Sequence, residues 1–225
     1  MLRELVFGLA FLVAAIGAAA DFWGNDPMNY YAGFARDTHL ERTVYHFPDG
    51  DRMVPLDFVL QTDHATRTYV VCGCFRSDAL AGMSLMFNAD EIAHLDDVRR
   101  VFAGVQTASS LAAIVAGIAG LGLARRRIRR AVLVAAGVTV LVGAVAAVAF
   151  EPLFLAFHEV FFPQGNFLFD PSRDNLTLVY PEDYWLGVTL RLGATVVALC
   201  FIVGGLVSLP IRSSAAARSN KGTVR

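Results

Sequence analysis

"LAAIVAGIAGLGLARRRIRRAVLVAAGVTVLV" (Leu111–Val142) decides the fold: two runs of small and branched apolar residues flank five arginines packed into six positions. Each run belongs to a longer block, Gln106–Ala124 and Ala131–Phe150. Each block is about long enough to cross a hydrocarbon core of roughly 30 Å as a helix. Inside lipid a segment must satisfy its own backbone hydrogen bonds, which selects helix. Two further blocks lie outward of this pair, Leu5–Ala20 and Leu186–Leu209. With 56% of its 225 residues hydrophobic and 17% charged, and the apolar residues gathered in four blocks, the chain reads as an integral membrane protein. Leu5–Ala20 reaches full span with Phe22 and Trp23 at its interfacial end. Ala18-Ala19-Ala20 also resembles a signal-peptide cleavage site. Glu4 directly after Arg3 makes a weak charged start for a signal peptide, so a retained anchor is favoured.

Orientation follows from the basic residues. Arg125–Arg130 and the tail with Arg212, Arg218, Lys221 and Arg225 are strongly positive, whereas Glu151–Trp185 holds six acids and Arg173 alone as a base. The positive-inside rule puts both termini and the arginine turn in the cytoplasm. The expected division is therefore a first transmembrane helix over 1–23, an extracytoplasmic cap and juxtamembrane helix over 24–105, and a transmembrane hairpin over 106–157. An outer loop over 158–185, a fourth helix over 186–212 and a cytoplasmic tail over 213–225 complete it. The fold class is an all-α membrane protein, four transmembrane helices with a small extracytoplasmic α+β cap. Strand character in the cap comes from "RTYVVCGCF" (Arg67–Phe75), rich in Val, Tyr and Phe. "PDGDR" (Pro48–Arg52) reads as a turn. Cys72 and Cys74 could pair, although a single intervening residue strains such a bridge; Cys200 lies in the fourth block and reads as packing. The arginine turn lacks interleaved aromatics, so no nucleic-acid partner is expected.

"FNADEIAHLDDVRRVFAGV" (Phe87–Val105) predicts a helix that starts at Asn88 as N-cap, with Asp90 and Glu91 in the first turn. No proline separates it from Gln106, so it runs into the second membrane helix. Glu91 and His94 share a face, and Asp97 is one turn beyond His94. Counted outward from the midpoint of Arg127 and Ile128, His94 is about 33 residues away and His158 about 30. Two continuous helices at about 1.5 Å per residue would bring them within about 4.5 Å of the same height. Glu151 falls on the His158 face, seven residues before it. Each histidine also has a plainer reading, His94 as an exposed juxtamembrane polar residue and His158 as part of an interfacial aromatic belt with Phe154, Phe157, Phe161 and Phe162.

"EIAHLDDV" (Glu91–Val98), a transmembrane hairpin, "FHEVFFPQGNFLFDP" (Phe157–Pro171) and "LTLVYPEDYW" (Leu176–Trp185) together resemble the lipoprotein intramolecular transacylases. The resemblance implies an enzyme of the bacterial cytoplasmic membrane whose partners are diacylglyceryl-modified lipoproteins and membrane lipids. It would move the sn-2 acyl chain onto the α-amino group of the same cysteine, giving an N-acyl, lyso-form lipoprotein. His94 and His158 would then be the catalytic pair, with Glu91 or Asp97 orienting His94, and Glu151, Asn166 and Asp170 in support. Ester aminolysis needs a base matched to an amine of pKa about 7.7–8.0, which histidine supplies, and donors for an oxyanion. No cofactor and no metal are expected. Two competing readings remain: a metal site built from His94, His158, Glu91 and Glu151, which lacks a dense ligand motif, and a non-enzymatic four-helix scaffold. The sequence does not set an oligomeric state.

Overall fold

The computed structural model describes residues 1–209; the expected tail and the last residues of the fourth span lie outside them. In chain order the described helices are α1 (Leu2–Asn25), α2 (Tyr30–Asp37), α3 (Leu56–Arg67), α4 (Arg76–Met83), α5 (Ala89–Gly120), α6 (Arg125–Val148), α7 (Phe150–Phe161), α8 (Leu176–Val179) and α9 (Glu182–Leu206). Four of them, α1, α5, α6 and α9, are long and apolar enough to cross a membrane.

The bundle is not ordered as the sequence order suggests. The two arms of the arginine turn, α5 and α6, do not pack against one another as a hairpin. Instead α1 lies between them, against α5 on one side and against α6 and α9 on the other. Small residues permit this. Ala10, Ala15 and Ala19 of α1 are buried against Ala116 and Ala119 of α5 and Ala131, Ala135 and Ala136 of α6. A side chain at Gly17 would run into Ser109. Close backbone approach of this kind replaces the hydrophobic drive that lipid cannot supply between helices. Two polar clasps hold the arginine end: Arg130 donates twice to the buried Glu4 carboxylate at 2.6 and 2.7 Å, and Arg3 reaches the carbonyls that end α5 at Ala119 (2.9 Å) and Leu121.

At the opposite end α5 outruns the membrane. Its 32 residues extend about 48 Å against a core of roughly 30 Å. The surplus is the N-terminal stretch that carries Asp90, Glu91, His94, Asp96, Asp97, Arg99 and Arg100, all outside the hydrocarbon. The expected N-cap is present. Asn88 accepts from the amides of Asp90 and Glu91, each at 3.0 Å, and Glu91 returns the bond to the Asn88 amide at 2.7 Å.

The third apolar arm is interrupted where continuity was expected. Helix α6 stops at Val148, Ala149 leaves helical geometry (φ −143°, ψ 49°), and α7 starts at Phe150. Pro152 is the cause. In an unbroken helix its ring would meet the carbonyl four residues back, at Val148, whereas in a first turn it is tolerated.

The α+β cap is corrected to a helical one. Arg67–Phe75 forms no strand; α3 continues through a π-helical turn, Thr68–Cys72, that buries Tyr69, Val70 and Val71. Propensity for strand reflects fit to a pleated neighbour, and no neighbouring strand stands here. Among the described residues, extended pairing is limited to one bridge, Tyr45 with Arg52 (2.9 and 3.0 Å), around the expected turn. Cys72 and Cys74 are joined as a disulfide just after the π-helical turn. Beneath, Tyr31, Val59, Met83, Val179, Tyr180 and Tyr184 form the core of the cap. A buried polar cluster ties the elements together. Arg67 donates to Asp26 at 2.8 Å and to Asp63, Tyr180 donates to Asp63 at 3.1 Å, and Asp26 caps α2 through the amides of Tyr30 and Tyr31.

Candidate active site

His94 and His158 meet. His94 is in the second turn of α5, whose start the Asn88 cap fixes, and is 5% exposed. His158 is in the last turn of α7 and half-buried. Their rings lie nearly parallel, 6.0 Å between centroids with 20° between planes. Phenylalanines surround the pair: Phe162 stands 4.8 Å from His94 and 5.3 Å from His158, Phe169 5.4 Å from His94, Phe154 4.2 Å and Phe167 5.3 Å from His158.

The hydrogen bonds of the two rings differ. His158 Nδ1 lies 2.8 Å from the Phe154 carbonyl. A carbonyl only accepts, so Nδ1 carries the proton and the neutral ring keeps its lone pair on Nε2. His94 Nδ1 is buried and has no hydrogen-bond partner among the described residues. Burial is the main influence on both rings. It pushes the His94 imidazole down to about 4, helped by His158 and opposed by Asp97 and Asn166. His158 is also lowered by burial, against the Phe154 carbonyl. Charging either ring here is disfavoured by desolvation, so both are neutral at neutral pH.

The supporting carboxylates stand elsewhere than expected. Glu91 is 1% exposed but does not orient His94. One of its oxygens takes the Asn88 amide and the other the Leu176 amide at 2.5 Å, which docks α8 onto the start of α5. Burial raises the Glu91 carboxyl, against those amide bonds. Asp97 accepts from Gln164 and from Asn166, each at 2.7 Å, and pairs with Arg100. Asp97 therefore holds the loop that carries Asn166 beside His94. Gly165 permits that loop to turn, at φ +79°. Asp170 caps a turn through the Ser172 amide at 2.9 Å and makes no contact with the histidines. Glu151 is exposed in the first turn of α7 and bonds to neither ring. Among the described residues no group of three or more His, Cys, Asp or Glu stands close enough to hold a metal ion, so His94, His158, Glu91 and Glu151 do not gather as one.

Two residues that matter to this geometry were not singled out in the sequence. Asn175, 2% exposed, accepts the His46 amide at 2.8 Å and donates to the carbonyls of His46 (2.8 Å) and Met86 (2.7 Å). Asp174 accepts from the Asn88 side chain at 3.0 Å and from the Asp170 amide at 2.9 Å. They stitch the outer loop to the cap and to the α5 cap. The pair "DN" gives no local signal of this, because its partners in the cap and at the start of α5 lie 86 or more positions away in the chain.

Solved structures of the membrane integral lipoprotein intramolecular transacylase Lit from Bacillus cereus match along almost their whole length. One has a TM-score of 0.67 at 16% identity, covering 91% of this chain and 92% of that one. Two variants of the same protein, a single histidine replaced by arginine or by alanine, match with TM-scores of 0.65 and 0.66 at 15% identity, each covering 92% of this chain and 90% of that one. At such identities the likeness is one of fold. A search of curated protein sequences finds no match. The family model for the lipoprotein intramolecular transacylase Lit matches residues 43–185, well over half of the chain. That stretch runs from the cap into the first turn of α9 and holds both histidines, the Asp97-anchored loop and the Glu91 staple. The chain therefore belongs to the Lit family of membrane-integral lipoprotein intramolecular transacylases.

Proposed function

We propose that the protein moves the sn-2 acyl chain of a diacylglyceryl-cysteine lipoprotein to the α-amino group of that cysteine, with His158 as base and His94 as its partner. The observation that carries this reading is the pair of imidazoles with ring centroids 6.0 Å apart, one with its lone pair set at Nε2 by the Phe154 carbonyl. In the proposed reaction the amine nitrogen attacks the ester carbonyl while His158 Nε2 takes its proton. A C–N bond forms, and the carbonyl oxygen becomes an oxyanion that the Asn166 side chain or the His94 ring stabilises by hydrogen bonding. Collapse breaks the ester C–O bond, and the departing glyceryl oxygen recovers the proton from the imidazolium. The product is an amide and a free sn-2 hydroxyl. Ester and amine belong to one molecule, so holding them in register supplies much of the acceleration. The phenylalanine cage would keep the acyl chains beside the reacting carbonyl and exclude water that would hydrolyse the ester.

In the membrane the arginine turn and the N-terminus would face the cytoplasm and the histidine pair the outer surface, by the charge asymmetry of the loops. Expression in a bacterial host whose lipoproteins keep a free α-amino group tests the activity directly. Mass spectrometry of the N-terminal lipopeptide should show an N-acyl, lyso-glyceryl species with the wild-type chain and not with His94→Gln or His158→Gln. Unchanged diacylglyceryl peptide with a folded, membrane-inserted wild type would refute the reading.

A further inference from the structure

A cleft of about 460 Å³ opens beside the histidine pair, away from the spans. Two segments line it: the start of α5 (Asn88, Asp90, Ala93) and the Asp97-anchored outer loop (Asn166, Phe169, Arg173). Ala93 precedes His94 directly, and Phe169 stands 5.4 Å from the His94 ring, so the cleft adjoins the site. Its loop rim holds a cation and an anion together, Arg173 and Asp174, whereas its α5 rim holds the anion Asp90 alone. Arg173 is already paired, 3.3 Å from Asp174. Asp90 is exposed and has no cationic partner among the described residues, leaving the α5 rim as an uncompensated negative charge.

We propose that this cleft receives the polypeptide that follows the modified cysteine, and that Asp90 gives it a preference for a basic side chain there. The inference rests on the transacylase reading. A lipoprotein held with its ester at the histidines must lead its chain away from the membrane, and the cleft opens on that side. Asp90 is four residues before His94, on the same face and about 6 Å higher along the helix. An extended peptide advances about 3.4 Å per residue, so the second residue after the cysteine reaches the height of Asp90. Phe169 offers apolar surface for the stem of a long basic side chain, whose charged head would then meet the carboxylate.

The test uses the full chain in zwitterionic vesicles, so that the lipid itself does not sort the substrates by charge. Two dipalmitoylglyceryl-cysteinyl peptides serve as probes, one continuing Ser-Lys-Lys and the other Ser-Glu-Glu. The wild type should favour the lysine peptide in kcat/KM by about fivefold, the scale of an exposed ion pair. Asp90→Lys should reverse the preference, and Arg173→Glu should enlarge it. Shifts in opposite directions cannot come from loss of fold. Equal ratios in all three proteins, with acyl transfer intact, would overturn the cleft assignment alone. No transfer to either peptide by folded wild type would overturn the transacylase reading and this inference with it.

Discussion

The two histidines stand on supports of opposite character. His94 belongs to a 32-residue helix with a reciprocal N-cap and a buried Glu91 that binds α8 to its first turn. His158 belongs to a 12-residue helix cut off from α6 at Ala149, with Phe150 as its one buried residue and Phe157, Val160 and Phe161 exposed. One ring is therefore fixed by the fold, and the other by its own Phe154 carbonyl, the aromatic neighbours and the loop that follows. Under the proposed reaction this division would serve the transfer: the rigid half would set the reference position, and the lightly held half would admit the diacylated substrate.

The sharpest way to break this comparison is to remove either ring. His158→Gln and His94→Gln should each lower the rate of N-acyl product formation by about 10²–10⁴-fold, the range for a general acid–base group, in a lipopeptide assay. Next in size is the tie between the two supports. Asp97→Ala frees Gln164 and Asn166, and a misplacement on the scale of 1 Å can cost up to about 10²-fold. We expect a loss of about tenfold in kcat, with a thermal unfolding midpoint close to wild type. Glu91→Ala acts on the fixed half through stability. It strands the buried Leu176 amide, which costs about 2 kcal/mol, read as a lowered unfolding midpoint in detergent. The same half has a pH response. The folded His94 is held near 4, below an unfolded value of about 6.5. Its contribution is complete above 6.5 and is lost as pH falls from there towards 4. Melting curves across that interval should decline less steeply for His94→Gln than for wild type.

The same contrast explains what could be read from the chain alone. The four spans, the Asn88 cap and the continuous α5 are local matters of hydropathy and capping, and they stand as expected. Counting residues placed His94 and His158 at a similar height, although it assumed a packed hairpin and an unbroken third arm and did not itself bring the rings together. Pro152 marked the break in plain sight, and the rings still meet because α7 remains helical through His158. The roles of Glu91 and Asp97 were not legible, since helical spacing places a carboxylate near a histidine without saying that an amide from α8 or a loop 67 residues on will claim it. The cap was misread at Arg67–Phe75 because Val, Tyr and Phe bury as well from a helical turn as from a strand when no sheet is present.

The interior place of α1 has a consequence for how the protein is made. It leaves the ribosome ahead of its partners α5, α6 and α9, which follow only after most of the cap and then one another. The α1–α5 half can form as soon as α5 is inserted, with Arg3 closing on the end of that helix. The other half waits for Arg130 to reach Glu4 and for Thr195 of α9 to accept from Trp23 at 2.9 Å. Assembly thus ends with the last span, and a nascent chain stopped before α9 would hold both histidines on a half-built bundle.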